Sequence, residues 1–282
     1  MKITVLGTAA ATSFPLAFCK CSVCEAARKN GGKDLRKRSS MVIGEDLLID
    51  LGPDCVTAGF QYGKDISGIR YLLQTHAHAD HFDAGIFVTR HPDYAAEKTI
   101  HLDVFCSRGT FDAMNTWVRR QEPAYDLYSE QIRKAMHFDY HPVSGNEVFT
   151  CGPYTVHAID SRHDPAEGSL IYLISQDDTH LLYATDLLRL DKTAWEILGK
   201  YQLAAVFLDQ TYGKDRNAGG HTDAGMVAEY VERMRNTGII DAETKVYATH
   251  LSHEGNDVHE IMESEAEKHG YHIAYDGMTV EV

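Results

Sequence analysis

The stretch Gln74–Phe82, reading Gln-Thr-His-Ala-His-Ala-Asp-His-Phe, constrains this chain more than any other. It places His76, His78, Asp80 and His81 within six residues. The run before it, Ile69-Arg70-Tyr71-Leu72-Leu73, is short and apolar and reads as a buried strand. Just past a strand end, side chains at i and i+2 share a direction, so His76 and His78 point the same way. A helix is predicted to begin near Phe82–Gly85. Three imidazoles and a carboxylate at this density suit borderline divalent cations such as zinc, manganese or iron. Strand, loop and helix in this order are the context a metal motif needs.

With 282 residues, 44% of them apolar and 24% charged, the chain can bury a full core. No linker or low-complexity tract divides it, and a single domain over residues 1–282 is expected. No window approaches eighteen consecutive apolar residues, so no membrane-spanning helix is expected. Met1-Lys2-Ile3-Thr4-Val5 enters a strand pattern directly, without a leader-like apolar segment, which predicts a cytoplasmic protein. A net charge of −14 repels a phosphate backbone, so nucleic acid is not an expected partner. Of six cysteines, Cys19, Cys21 and Cys24 form a C-x-C-x2-C cluster. That spacing fits a metal site better than a disulfide framework; buried unpaired thiols or a redox disulfide are the alternatives. Cys55, Cys106 and Cys151 read as small core residues.

Ser40–Ile43 and Asp46–Ile49 read as a hairpin turning at Gly44. Arg36-Lys37-Arg38 reads as a solvated basic face. Gly109 to about Ala135 is predicted to be helical, with Trp117, Arg119, Arg120, Tyr125 and Tyr128. We expect a helical insertion over about 109–140, either a rim beside the site or a surface element. His137 and His141 read as bystanders. Gly219-Gly220-His221-Thr222-Asp223 precedes a helix from Ala224 to about Asn236, which Thr222 or Asp223 caps. His221 on that loop is a candidate general acid, with a structural turn as the alternative. Lys214 and Arg216 are candidates for gripping a phosphate, with plain surface charge as the alternative.

Taken together, these motifs resemble the metallo-β-lactamase superfamily. Within it the chain most resembles phosphoribosyl cyclic phosphate phosphodiesterases of the PhnP type. The likeness is carried by Gly7-Thr8 before Pro15, the cysteine cluster, the His76–His81 motif, Gly220-His221-Thr222-Asp223, Thr249-His250-Leu251-Ser252-His253 and Tyr275-Asp276-Gly277-Met278. PqqB-like proteins share the cysteine cluster and are the nearest rival. The resemblance implies an α+β (α/β) fold: a four-layer αββα sandwich of two mixed β-sheets flanked by helices. It implies that His76, His78 and His163 hold one cation and that Asp80, His81 and His250 hold a second. Asp186 would bridge the two, and Asp50 would brace the motif loop. His163 is preferred to His157, which lies inside its strand. Cys19, Cys21, Cys24 and His253 would form a separate structural zinc site.

The activity implied is that of a metal-dependent hydrolase, a phosphodiesterase acting on a small cyclic phosphate. Phosphoribosyl 1,2-cyclic phosphate or a 2′,3′-cyclic nucleotide would be the type of substrate. Two divalent metals, manganese or zinc with iron as a further option, would activate a shared water; one structural zinc would sit apart. Asp80 would serve the reaction as well as the metal, and His221 would protonate the leaving alkoxide. Alternatives are a hydrolase of RNA, a thioester or a lactam, or a PqqB-like carrier or accessory protein without hydrolysis. The expected partner is a small anionic phosphodiester; a membrane is not expected, and a homodimer is an open assembly state.

Overall fold

Alternation along the first strand already separates two hydrophobic layers. In β1 (Lys2–Gly7), Ile3 and Val5 join one buried cluster and Leu6 joins another, as the two-residue period of a strand demands. The computed structural model describes residues 1–95, 97, 99–214 and 219–282. The chain continues through α1 (Ser22–Asn30), β2 (Ser40–Ile43), β3 (Leu47–Ile49), α2 (Cys55–Gln61), β4 (Tyr71–Leu73) and α3 (Ala84–Val88). Next come β5 (Leu102–Cys106), α4 (Arg108–Gln121), α5 (Glu130–Met136) and β6 (Phe138–Pro142). The second half runs β7 (Val148–Cys151), β8 (Tyr154–Asp160), β9 (Leu170–Gln176), β10 (Thr179–Ala184), α6 (Lys192–Leu198) and β11 (Ala205–Asp209). It ends with α7 (Ala224–Asn236), β12 (Lys245–Thr249), α8 (His259–Glu267), β13 (His272–Ile273) and β14 (Thr279–Glu281).

The first sheet has the order β14-β1-β2-β3-β4-β5-β6 and the second the order β13-β12-β11-β10-β9-β8-β7. Both are mixed: β3 to β6 and β10 to β13 are parallel neighbours, and the remaining pairs are antiparallel. Met41, Ile43, Tyr172 and Phe207 fill the space between the sheets. Leu48, Phe87, Phe111 and Phe138 pack one sheet against its helices, and Leu182, Leu198, Val231 and Met262 do so on the other side. Each such side chain contributes on the order of 1.5–3 kcal/mol by burial. The result is the expected four-layer αββα sandwich. Among the described residues, no helix is long and apolar enough to cross a membrane.

Two local expectations are corrected. The helical run from Gly109 is not continuous: α4 ends at Gln121 and α5 begins at Glu130. Pro123 is the reason. It disfavours helical backbone at the residue before it, and Glu122 is extended at φ −128° and ψ 90°. The two helices connect the parallel neighbours β5 and β6. The basic run Arg36-Lys37-Arg38 is not a solvated face. Arg36 is 3% exposed and donates to the Ala274 carbonyl, the Thr8 hydroxyl and His259 Nδ1. Lys37 pairs with Asp276, and Arg38 makes a two-pronged pair with Asp54. Arg36 and Lys37 thereby pin this segment to the C-terminal part of the chain, and Arg38 pins it to the start of α2.

The Arg36–His259 contact carries a pH prediction. Nδ1 of His259 accepts the guanidinium hydrogen at 3.0 Å, so it must be unprotonated. Burial first, and then the charges of Arg36 and Lys33, push His259 down to about 4. An imidazole lowered in the folded state adds stability that is present above its ordinary value of 6.5. That stability is lost as pH falls toward about 4. The wild type should therefore lose up to about 3 kcal/mol relative to His259→Gln over this window, read by urea unfolding at stepped pH. A pH-independent difference between the two proteins would contradict it.

Candidate metal centre

Every loop that builds the site leaves the C-terminal end of a strand, the position where open α/β sheets place their ligands. β3 delivers Asp50, β4 delivers His76 to His81, and β8 delivers His163. β10, β11 and β12 deliver Asp186, Asp209 and His250. Asp50, Asp186 and His250 hold left-handed backbone, with φ of 62°, 49° and 59°. Such conformations are sparsely populated for these residue types and recur at functional sites. Gly52 fits the same crest for a steric reason: a Cβ there would lie 2.4 Å from the Asp80 carbonyl oxygen.

The structure brings all the expected ligands together. His76, His78 and His163 converge as one group, and Asp80, His81, Asp186 and His250 as another. Within the second group, Nε2 of His81 and Nε2 of His250 are 3.3 Å apart. Asp186 Oδ2 lies 2.5 Å from the first of these nitrogens and 3.0 Å from the second. Its other oxygen, Oδ1, faces His163 Nε2 at 3.4 Å. His157, the competitor in β8, is buried elsewhere, beside Tyr201.

The outer nitrogen of each imidazole explains why the inner one presents a lone pair. His81 Nδ1 meets Asp50 Oδ2 at 2.7 Å, and His163 Nδ1 meets the Gly220 carbonyl at 2.8 Å. His250 Nδ1 meets the Thr211 hydroxyl at 2.7 Å. His76 Nδ1 meets the Thr75 hydroxyl at 3.0 Å; that hydroxyl donates to Asp50 and so accepts from the ring. His78 turns Nε2 toward Asp164 at 3.4 Å and Nδ1 toward His163. Protons held outside leave lone pairs inside, the donor set of a cation site. Accordingly, His76 Nε2 and Asp186 Oδ2 are buried and make no hydrogen bond among the described residues.

The same carboxylates favour positive charge at this point, with a proton or a metal cation competing for the inner lone pairs. Burial disfavours charge on His81, yet Asp80, Asp186 and Asp50 outweigh it and hold this imidazole well above its ordinary value. Burial also opposes charge on His250, but Asp186 pushes it up to about 10. The carboxyl of Asp186 is disfavoured by burial but held well below the usual range by His250, His81 and His76. The carboxylates therefore draw positive charge to one point, and the residues present fit divalent cations there.

The sequence pattern of the beta-lactamase superfamily domain matches residues 46–251, most of the chain. The chain belongs to the metallo-β-lactamase superfamily. No curated protein matches it. Among solved structures it is similar to a diphosphatase from the PhnP family, at 21% identity and a TM-score of 0.72 over 100% of this chain and 97% of that one. It is also similar to zinc-bound PqqB from Methylobacterium extorquens, at 16% identity and a TM-score of 0.73 over 100% of both chains. The short form of human tRNase Z is 15% identical, with a TM-score of 0.67 over 100% of this chain and 99% of that one. At these identities the likeness is one of fold.

Within this superfamily fold, two carboxylates stand behind the ligands in matching places. Asp50 accepts from Thr75 N at 2.8 Å and from Gln74 Nε2 at 3.0 Å besides facing His81. Asp209, for which the sequence suggested no role, is fully buried at the end of β11. It accepts from Thr211 N and Leu187 N and sits 3.7 Å from His250 Nδ1. A buried strand ending in Asp was the available signal, present at both Asp50 and Asp209. His221 lies beside the site, its Nδ1 at 3.2 Å from Asp209, 3.1 Å from Thr211 Oγ1 and 3.4 Å from Asp186 Oδ1. It thus stands closer to the carboxylates than its loop position suggested, and Asp186, Asp209, His221 and His250 form a further potential ligand group. Asp223, not Thr222, caps α7; the Thr222 hydroxyl donates to the Asp209 carbonyl instead. Lys214 is exposed on this loop, and Arg216 lies outside the described residues.

Apart from this centre, Cys19, Cys21, Cys24 and His253 gather at the start of α1. His253 Nδ1 is 3.9 Å from Cys19 Sγ and 3.6 Å from Cys21 Sγ. Arg28 braces the loop by donating to the carbonyls of Leu16 and Cys19. The backbone N–H of Cys24 pulls the Cys21 thiol down to about 6, and burial pushes the Cys24 thiol up to about 11. All described cysteines are free.

Proposed function

We propose that this protein is a dinuclear metal-dependent phosphodiesterase acting on a small cyclic phosphate. One observation carries the reading: the two oxygens of Asp186 face different ligand groups, Oδ1 toward His163 and Oδ2 toward His81 and His250. A carboxylate so placed suits a pair of cations, one held by His76, His78 and His163 and the other by Asp80, His81 and His250. When bound, such a pair lowers the pKa of a water and offsets charge developing on phosphoryl oxygens. Manganese, zinc and iron all suit these donors.

The residues supply the rest. Burial opposes ionisation of Asp80, but His81 and His250 keep its carboxyl well below the usual range. It remains an anion that can orient the hydrogens of a water. His221 has Nδ1 committed to Asp209 and Thr211, which leaves Nε2 to present a proton to a departing alkoxide. A diphosphatase and a tRNase among the solved structures with this fold lend support to phosphoester chemistry.

The test is turnover by protein loaded with manganese or zinc. Phosphoribosyl 1,2-cyclic phosphate, a 2′,3′-cyclic nucleotide and bis-p-nitrophenyl phosphate should be hydrolysed. Nitrocefin, a thioester and an RNA transcript should not. Metal-loaded protein that leaves every diester intact would overturn the assignment in favour of a carrier or accessory role.

We further propose that Cys19, Cys21, Cys24 and His253 hold a structural zinc. This zinc would tie the N-terminal loop to the loop that carries His250. Cys21→Ser with Cys24→Ser should remove one zinc per chain and lower Tm by ~5 °C or more, read by metal analysis and calorimetry. Unchanged zinc content would refute it.

A further inference from the structure

His78 is the most exposed of the clustered imidazoles, and its outer nitrogen is held by a loop that the proposed reaction does not use. Nε2 lies 3.4 Å from Asp164 Oδ2, and Nδ1 lies 3.3 Å from His163 Nε2. Asp164 is itself fixed. Its Oδ1 accepts from Ala166 N at 2.9 Å and Glu167 N at 3.1 Å, and its own N–H donates to Ser169 Oγ at 2.8 Å. Three residues on, Glu167 Oε2 accepts from the N–H of Ala77 at 3.0 Å, between His76 and His78. One short loop therefore grips the motif at a side chain and at the backbone.

The far side of that loop rests on α4. Ser107, which caps this helix through Thr110 N, donates its hydroxyl to the Glu167 carbonyl at 2.5 Å. Gly109 seats the helix against the loop: a Cβ there would lie 2.6 Å from the Glu167 carbonyl oxygen and 3.0 Å from that of Ala166. Alanine in a helix is ordinarily better than glycine by roughly 0.5–1 kcal/mol, so this glycine is explained by the contact and not by the helix.

From these contacts we infer that Asp164 is a positioning residue for His78. The loop Asp164–Gly168, clamped by Ser107 and Gly109, sets the metal affinity of the His76–His78–His163 group. The inference rests on the dinuclear reading above. A ligating imidazole that donates its outer N–H to a carboxylate has its tautomer and ring angle fixed and its basicity raised. His78, Asp164 and Glu167 also lie close enough to hold an ion of their own. Glu167 Oε2 already accepts from the Ala77 N–H, which ties this carboxylate to the motif backbone.

The experiment titrates the full chain with zinc against a competing chelator for the wild type, Asp164→Ala, Asp164→Asn and Gly109→Ala. Asp164→Ala should weaken one zinc by about 10- to 100-fold and leave the others unchanged. Asp164→Asn, which keeps an acceptor but no charge, should fall between it and the wild type. Gly109→Ala should weaken the same zinc although no ligand is altered. Diester turnover by Asp164→Ala should return to near the wild-type level at saturating metal. In metal-free protein, long-range nitrogen–proton NMR should show the Nε2–H tautomer of His78 in the wild type and a mixture in Asp164→Ala. Wild-type affinities together with an unchanged His78 tautomer in Asp164→Ala would overturn the inference. If Gly109→Ala does not fold, the Asp164 variants still decide it. A wild type that takes up no ion in the histidine cluster would sink the dinuclear reading instead.

Discussion

Asp186→Asn is expected to lose both active-site cations and at least about 10³-fold in kcat/KM on any diester the wild type hydrolyses. The substitution keeps the size of the side chain and removes its charge. It also leaves one acceptor oxygen where the carboxylate turned two, Oδ1 toward His163 and Oδ2 toward His81 and His250. The cations that His81 and His250 would hold lose the anion nearest to them, 2.5 and 3.0 Å from those nitrogens. Leaving two buried cations without the anion between them costs several kcal/mol, which metal release relieves. Inductively coupled plasma analysis of the purified variant, with circular dichroism to confirm folding, reads the outcome. A folded variant with unchanged metal content would end the bridging role.

His221→Ala should behave in the opposite way: both cations stay, and turnover falls. A general acid contributes about 10²- to 10⁴-fold when the departing group is a poorly stabilised alkoxide. With p-nitrophenolate, which departs without a proton, the variant should run close to the wild type. That contrast between leaving groups separates acid catalysis from a packing defect, which would depress both. It also separates it from ligation. His221 Nδ1 is 3.4 Å from Asp186 Oδ1, and if that nitrogen held a cation the variant would lose metal as well.

What the sequence made legible was local. His76, His78, Asp80 and His81 lie within six residues, and their spacing alone announces a cation site. Asp50, His163, Asp186 and His250 are scattered and were recognisable only by resemblance, each as a polar residue just past an apolar strand. Asp209 fits the same description yet went unassigned, because its partners Thr211, His221 and His250 come from separate loops. Asp164 and Glu167 were invisible for a similar reason: their meaning lies in contacts with His78 and Ala77, 86 and 90 residues away in the chain. Arg36 was misread because three consecutive cations look alike in sequence. Only the crossing of the Thr8 and Ala274 segments decides which of them is buried. The break between α4 and α5 was readable at Pro123 and was overlooked.

The way the donors are spread along the chain bears on how the protein would come by its ions. Imidazoles from the β4 loop meet a partner from the end of β12, more than 160 positions later, and neither half-sandwich offers a full coordination sphere. Bringing such distant segments together is slow, because the entropy of closing long loops is lost before distant contacts form. Capture of a cation by these donors would thus be among the last events of maturation. Which element ends up in the protein would then reflect what the cell has on hand at that moment as much as any preference written into the donors.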